Sequence, residues 1–92
     1  MNAILYLKSG TFSITRSGSS WGQTTASATP ADRNTSNPAY GGAGGVCGDK
    51  AINVCGLVDL GNNRVEIQTQ NAYTQSVTSD VYWWAYCVEI TA

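Results

Sequence analysis

Residues 81–91 alternate in a way that predicts a β-strand. Aromatic and β-branched side chains favour a pleated surface, and successive side chains of a strand point to opposite faces. One face would be wholly apolar or aromatic: Tyr82, Trp84, Tyr86, Val88 and Ile90. The other face would turn polar toward its end: Val81, Trp83, Ala85, Cys87, Glu89 and Thr91. The first face is therefore the one expected to lie in the core.

A helix is the alternative for the same stretch, because Val81, Trp84 and Val88 also satisfy helical spacing. The residue types favour a strand instead. No capping box follows Asp80 either, since Trp83 stands where a Glu or Gln would be needed. We therefore predict a strand over this stretch.

Two β-hairpins are predicted upstream of this strand. In 3–16, alternating runs flank Ser9-Gly10, a small polar residue next to glycine that suits a two-residue hairpin turn. In 51–69, alternating runs flank Gly61-Asn62-Asn63, which has good turn chemistry. Residues 71–79 suit either a connection or a short edge strand.

The segment 17–50 differs from the rest of the chain. It holds both prolines, seven of the ten glycines, and only Trp21, Tyr40, Val46 and Cys47 as hydrophobic residues other than alanine. Such a segment buries too little apolar area to offset the entropy of ordering it, so we predict an extended polar loop or arm. It would be either a floppy surface loop or an arm that becomes ordered on a neighbouring subunit. In the second case Trp21 and Tyr40 would be its anchors.

Together these elements predict an all-β protein. We expect a small β-sandwich or barrel of five or six short antiparallel strands, interrupted by one long excursion rich in Gly, Ser, Thr and Asn. Because 92 residues make one domain at most, we assign 1–92 to a single β domain that includes 17–50 as its polar loop or arm.

Charge is sparse, and this argues against two classes of partner. Charged residues make up 12% of the chain, the formal net charge is −1, and the lysines and arginines form no cluster. Neither nucleic acid, whose phosphates need clustered cations, nor a membrane surface is expected as a partner. No secretion signal is recognisable, because 3–7 is short and Lys8 follows it rather than preceding it. The protein is therefore expected to be made and kept in the cytosol.

The residues that most catalytic sites need are missing from the sequence. There is no histidine, which removes Ser-His-Asp triads, Cys-His dyads and imidazole metal sites. The carboxylates suit turns and solvated strand positions rather than a catalytic pair, with Glu66 and Glu89 outward or partly outward on their strands. The glycine-rich run 41–50 lacks the Gly-Lys-Ser/Thr of a phosphate loop. We expect no enzymatic activity and no cofactor.

The three cysteines are Cys47, Cys55 and Cys87. A zinc site takes four ligands with closely spaced cysteines, whereas seven residues separate Cys47 from Cys55, so no metal site is expected. A Cys47–Cys55 disulfide would tie the base of the 17–50 segment to the second hairpin. The alternative is that the cysteines are ordinary reduced or buried thiols.

Trp83 has no obvious place in the predicted core. It lies on the face opposite Trp84 and Tyr86, which would supply the core of so small a domain. Trp83 would therefore cover a second layer, contact a partner subunit or form a platform on which a sugar ring stacks. Together with Trp21 and Tyr40, it completes the set of partner-interface candidates.

Four features of the layout occur together. They are the start Met1-Asn-Ala-Ile without a signal, the hairpin patterns at 3–16 and 51–69, the polar excursion 17–50, and the end on a strand at Ile90-Thr-Ala92. In these features the whole chain resembles the small structural proteins of tailed bacteriophage virions, in particular head decoration or cement proteins. The resemblance is one of composition and layout and transfers no functional residue.

The resemblance implies a function in assembly. It implies a compact β module, often trimeric, that binds at junctions between major capsid subunits and strengthens the shell. The expected partners are the major capsid protein or another virion protein, and further copies of the chain. The expected location is the virion, after synthesis in the host cytoplasm. The alternatives are a carbohydrate-binding module of a fibre or adhesin, in which Trp21, Tyr40 or Trp83 stacks on sugar, and a tail, neck or baseplate component.

Overall fold

The computed structural model describes residues 2–91, and this part of the chain contains six β-strands and no helix. The strands are β1 (Asn2–Arg16), β2 (Trp21–Ser27), β3 (Ala39–Cys47), β4 (Ile52–Asp59), β5 (Arg64–Asn71) and β6 (Val77–Thr91). The predicted C-terminal strand is confirmed, and it begins earlier than predicted. Residues 72–76 form a connection, which decides between the two interpretations of that region.

The strands form two three-stranded antiparallel sheets. The long sheet has the order β1-β6-β3, and the short sheet has the order β2-β5-β4. Side chains from both sheets form one core, which confirms the prediction of an all-β sandwich. Because β1 and β6 each run for 15 residues, the molecule is elongated, with extents of 52 × 19 × 17 Å.

The predicted hairpin at 3–16 is wrong. These residues form one continuous strand, paired with β6 from Asn2↔Thr91 to Arg16↔Val77. Gly10 serves side-chain packing and not a turn, because a Cβ at this position would lie 2.6 Å from Nε1 of Trp83. The Trp83 indole therefore occupies the space that a side chain at position 10 would need.

The interpretation of 17–50 as one polar loop or arm is also corrected, because the segment contains β2 and β3. Strand pairing uses backbone N–H and C=O groups, so a segment poor in apolar side chains still pairs when its neighbours supply the buried surface. β3 pairs with β6 over Ala39–Cys47, and β2 pairs with β5 over Trp21–Ser27. Only 28–38 remains a connecting loop between two strands of this segment.

The core lies between the inner faces of the two sheets. Its buried apolar members are Ile14, Ala28, Ala51, Ile52, Val65, Ile67, Val77, Val81 and Ala85. Glycine lets β3 and β4 approach closely, since a Cβ at Gly56 would collide with the carbonyl group of Ala43. On the facing strand, a Cβ at Gly45 would lie 3.0 Å from Val54. Several glycines of the run 41–50 are therefore packing residues of the sandwich.

The second predicted hairpin, β4–β5, is confirmed. Asn63 in its turn has a φ of 49°, a left-handed conformation that asparagine tolerates better than most residues. The Asn63 Oδ1 atom accepts hydrogen bonds from the backbone N of Thr29 at 2.7 Å and from its hydroxyl at 2.8 Å. The hairpin tip is therefore attached to the residues that follow β2.

Asp59, at the end of β4, provides a testable pH effect at this hairpin. The side chain of Asn62 donates a 2.7 Å hydrogen bond to Oδ2 of Asp59, and this bond is the main cause that lowers the pKa of the carboxyl below its ordinary value of 3.8. A carboxyl with a lowered folded-state pKa contributes stability above its unfolded pKa and loses it as the pH falls through the folded value. We expect Asn62→Ala to raise the pKa of Asp59 toward 3.8 and to weaken this acid dependence.

Carbon-13 NMR titration of the side-chain carboxyl groups measures this change directly. Asn34→Ala is a suitable control, because Asn34 is an exposed asparagine in the separate loop 28–38 and should leave the Asp59 pKa unchanged. An Asp59 pKa that stays the same in the Asn62→Ala variant would contradict the assignment.

The buried Asn71 joins two connections at one end of the sandwich. Its side-chain nitrogen donates hydrogen bonds to the carbonyl oxygens of Arg16 at 3.0 Å and Gln75 at 2.7 Å. Its side-chain oxygen accepts a 2.9 Å bond from the backbone N of Tyr73. Asn71 therefore provides hydrogen-bond partners for backbone groups near the ends of β1 and β5.

Candidate functional site

The structure reverses the predicted inside and outside of β6. Val81, Ala85 and Cys87 are buried, and Trp83 packs against the core cluster. The three aromatic residues that were expected to form the core point outward and are about half exposed: Tyr82, Trp84 and Tyr86. Of the three roles expected for Trp83, the structure therefore favours packing between two layers over contact with a partner or ligand.

Glycines of β3 explain why the large rings lie outside. A Cβ at Gly42 would lie 2.9 Å from the ring of Tyr86, and a Cβ at Gly44 would lie 2.9 Å from the ring of Trp84. The two rings therefore rest against the β3 backbone where glycine leaves room for them. The inner side is crowded at the same level, because β4 approaches the backbone of β3 near Gly56.

The outward aromatic residues belong to a continuous surface across all three strands of the long sheet. Directly paired residues of antiparallel strands project from the same face of a sheet. The pairing places Leu7 beside Tyr86, and Thr11 and Val46 on the two sides of Tyr82. We call this surface the aromatic face, and its residues are Leu5, Leu7, Ser9, Thr11, Tyr40, Gly42, Gly44, Val46, Tyr82, Trp84, Tyr86 and Val88.

The aromatic face is large for a protein of this size. An aromatic side chain carries about 150–250 Å² of surface, so three half-exposed rings contribute roughly 300 Å². Leu7, which is 72% exposed, and the exposed Leu5, Tyr40 and Val46 extend it. The exposed patch therefore reaches the roughly 300–600 Å² of the largest apolar patch on a typical monomer, which is often functional.

The aromatic face carries no formal charge. Among residues 2–91, the only charged side chain that points outward from the long sheet is that of Asp80, beyond the end of the face. Asp80 already accepts a 2.6 Å hydrogen bond from the hydroxyl of Ser13. Covering the aromatic face therefore desolvates few strongly hydrated groups. Between Leu7, Ser9, Trp84 and Tyr86 the surface is indented by a shallow groove of about 310 Å³.

The three partner-interface candidates from the sequence lie in different places. Tyr40 is on the aromatic face and is 69% exposed, next to Val88 in the strand pairing. Trp21 is exposed on the outer face of the short sheet, and Trp83 lies between the sheets. Sequence reasoning missed Leu5, Leu7 and Trp84 as surface residues. The glycines of 41–45 are a partial signal, because glycine leaves room for large side chains on an adjoining strand. They occupy both faces of β3, so they do not indicate which face is the outer one.

The proposed Cys47–Cys55 disulfide is not formed, and all three cysteines are free thiols. Cys47 lies on the inner face of the long sheet, where it packs against the core cluster. Cys55 is exposed on the outer face of the short sheet, because its neighbour Val54 is the β4 residue that points inward. The two thiols therefore project in directions that do not meet. Cys87 is buried in the long sheet.

Glu89 is buried, and the expectation that it faces outward or partly outward is corrected. Its carboxylate lies 3.5 Å from the guanidinium of Arg33 and accepts a 3.3 Å hydrogen bond from the side chain of Asn37. The loop 28–38 thus covers the inner face of the long sheet beyond the short sheet. Burial raises the pKa of the nearby Tyr6, and the carboxylate of Glu89 raises it further.

Two further features are absent from the described part of the chain. Residues 2–91 contain no group of three or more His, Cys, Asp or Glu side chains that would hold a metal ion. The same residues include no helix long and apolar enough to cross a membrane. The aromatic face is the candidate site that contains most of the exposed large hydrophobic side chains of the described residues.

A scan against protein-family models, a search of the curated proteins and a search of the solved structures found no match to this chain.

Proposed function

We propose that the protein is a non-enzymatic structural protein of a virion. In this proposal it is a capsid decoration or cement subunit that binds the shell formed by the major capsid protein through its aromatic face. The observation that carries the proposal is the exposed, uncharged aromatic face on a closely packed β-sandwich. The resemblance in composition to phage decoration proteins supports the choice of a capsid as the partner.

The chemistry of the aromatic face favours a protein surface as its partner. Tyrosine and tryptophan are enriched among the residues that dominate protein–protein binding energy, and charged residues are depleted from interface centres. Aliphatic side chains such as Leu7 and Val46 lie beside the rings. Apart from the tyrosines, the polar side chains of the aromatic face are small and carry a hydroxyl group, as Ser9 does. Such a surface matches a flat apolar region of a subunit better than it matches a polar ligand.

The dimensions of the molecule suit a subunit that spans a junction in a shell. The radius of gyration is 15.1 Å, whereas a compact chain of this length has one of about 12 Å. With a length of 52 Å, the sandwich would contact more than one neighbouring shell subunit. Copies bound around a symmetry axis would also contact one another, as a trimer at a three-fold junction. Binding to a shell stabilises each subunit by mass action.

A pair of matched substitutions tests the docking surface. Trp84 is 47% exposed on the aromatic face, and Leu57 is 48% exposed on the opposite sheet. We expect Trp84→Ser to weaken binding to undecorated capsids by about tenfold, since a central tryptophan is a typical interface hot spot, and Leu57→Ser to leave binding unchanged. Co-sedimentation of each variant with capsids measures the difference. Equal binding by both variants would contradict docking through the aromatic face.

Labelling of intact virions tests the position of the protein. Gold-labelled antibody against the chain is expected to decorate heads in electron micrographs. Label confined to tails, necks or baseplates would overturn the capsid assignment, and absence of the protein from purified virions would overturn the structural function altogether.

A further inference from the structure

The outer face of the short sheet carries a second and chemically different feature. Trp21 on β2 is 64% exposed, and the strand pairing places it in one row with Gln70 on β5 and Asn53 on β4. The next row along the sheet contains Gln68, between Gln23 and Cys55. The side chains of Trp21, Asn53, Cys55, Gln68 and Gln70 line a shallow groove of about 280 Å³, which we call the amide groove.

The polar groups of the amide groove are uncharged and can serve a ligand. Each carboxamide offers two N–H donors and one carbonyl acceptor, which is the combination that a hydroxyl group can satisfy in either direction. Within residues 2–91, the side-chain amides that bond to the protein belong to other residues, such as Asn37, Asn62 and Asn71. The carboxamides of the groove are therefore free to bond a molecule that enters it.

Three charged residues, Asp59, Arg64 and Glu66, lie on this face of the short sheet, and all are outside the groove. Arg64 and Glu66 form a 2.9 Å ion pair, and both precede the groove residues on β5. A charged ligand would find no counter-charge among the groove side chains. The groove therefore favours a neutral ligand with many hydroxyl groups and one apolar face.

We infer that the amide groove binds a neutral carbohydrate. One apolar face of a sugar ring would pack on the Trp21 indole, while the carboxamides of Gln68, Gln70 and Asn53 bond to its hydroxyl groups. The groove is slightly smaller than the roughly 300–1,000 Å³ pockets of drug-sized ligands, so the sugar would lie on the surface and would not be enclosed. This inference is independent of the proposed docking, because the amide groove and the aromatic face lie on opposite sheets.

NMR titration of the intact protein locates the site. The probes are cellotetraose, maltotetraose and chitotetraose as neutral sugars, and a hyaluronan tetrasaccharide as an acidic control. We expect at least one neutral sugar to shift the indole N–H signal of Trp21 and the side-chain amide signals of Gln68 and Gln70, and the acidic probe to shift none of them. Absence of these shifts with all three neutral sugars would overturn the inference, and so would shifts centred on Trp84.

Substitutions separate the stacking contribution from the hydrogen bonds. We expect Trp21→Ala and Gln70→Ala each to weaken binding of the neutral sugar by about tenfold, which corresponds to about 1.4 kcal/mol. Leu57→Ser is the control on the same face outside the groove, and Trp84→Ser is the control on the opposite sheet; both should bind the sugar like the native protein. Unchanged affinity in the Trp21 and Gln70 variants, with folding verified by circular dichroism, would refute the site. Capsid binding by these variants is a separate measurement and would stay intact.

Discussion

Replacing Trp83 with alanine is expected to lower the free energy of unfolding by about 3 kcal/mol, whereas the same replacement at Trp84 is expected to lower it by about 1 kcal/mol or less. The two residues are chemically identical and adjacent in β6. Because successive strand side chains point to opposite faces, Trp83 lies between the sheets and Trp84 lies on the aromatic face. Each variant is therefore the matched control for the other.

The expected difference follows from what each ring contacts. The Trp83 indole covers the backbone at Gly10 and packs against the core cluster, so its removal leaves a cavity between two sheets held in place by other contacts. Large-to-small substitutions of buried aromatic residues cost about 3–5 kcal/mol, and the partial exposure of Trp83 places it near the lower end. The Trp84 ring already exposes 47% of its surface and leaves only a surface depression when removed.

Equilibrium unfolding in guanidinium chloride, followed by circular dichroism, measures both values. The expected signature is a clear decrease in midpoint for Trp83→Ala and a small decrease for Trp84→Ala. Equal losses, or a larger loss for Trp84→Ala, would show that the assignment of inner and outer faces in β6 is incorrect.

Replacing Arg33 with methionine is expected to lower the free energy of unfolding by about 3 kcal/mol, whereas Arg64→Met is expected to change it by less than about 1 kcal/mol. Distance alone would predict the opposite order. The Arg64–Glu66 pair is separated by 2.9 Å and the Arg33–Glu89 pair by 3.5 Å. Burial determines the expected order of the two losses, because the Arg33 and Glu89 side chains are only 6% and 2% exposed. The Arg64 and Glu66 side chains are 47% and 27% exposed.

The physical reason is the state of Glu89 after Arg33 is removed. Its carboxylate would stay buried, and the 3.3 Å bond from Asn37 would be its remaining side-chain hydrogen bond among the described residues. An unpaired buried charge costs several kcal/mol, whereas a partly exposed carboxylate such as that of Glu66 is solvated by water when its partner is lost.

A double substitution separates the attraction within the pair from the cost of an orphaned charge. Among the described residues, Arg33 Nε and Glu89 Oε1 have no hydrogen-bond partner, so the pair is held by charge attraction more than by directed bonds. Apolar replacement of both partners of such a pair is often neutral or stabilising. We therefore expect Arg33→Met/Glu89→Met to be more stable than Arg33→Met alone in denaturant unfolding. A double variant less stable than the single one would contradict this account.

Local sequence patterns were sufficient to predict the elements whose stabilising interactions lie close together in the chain. The β4–β5 hairpin could be predicted because Gly61, Asn62 and Asn63 supply turn chemistry between two alternating runs. Strand character in 81–91 could be predicted from its aromatic and β-branched residues. The absence of strong helical patterns made the all-β class predictable as well.

The candidate site could not be predicted correctly, because both faces of β6 carry apolar residues. A period of two separates the Trp83 face from the Trp84 face but does not say which is buried. That choice depends on Gly42 and Gly44 of β3, which leave room for rings outside, and on Gly56 of β4, which brings the short sheet close. These glycines are distant from β6 in sequence, and only the pairing of the strands brings them together.

The sequence by itself determined the class of fold, the turn of one hairpin, and the scarcity of charge that makes an apolar binding surface feasible. These properties depend on composition and on residues a few positions apart. The tertiary structure decided that 3–16 is one strand, that 17–50 contributes strands to both sheets, and that the Trp84 side of β6 faces outward. These outcomes depend on long-range backbone pairing and on the space that each strand leaves for its neighbour, which no local pattern encodes.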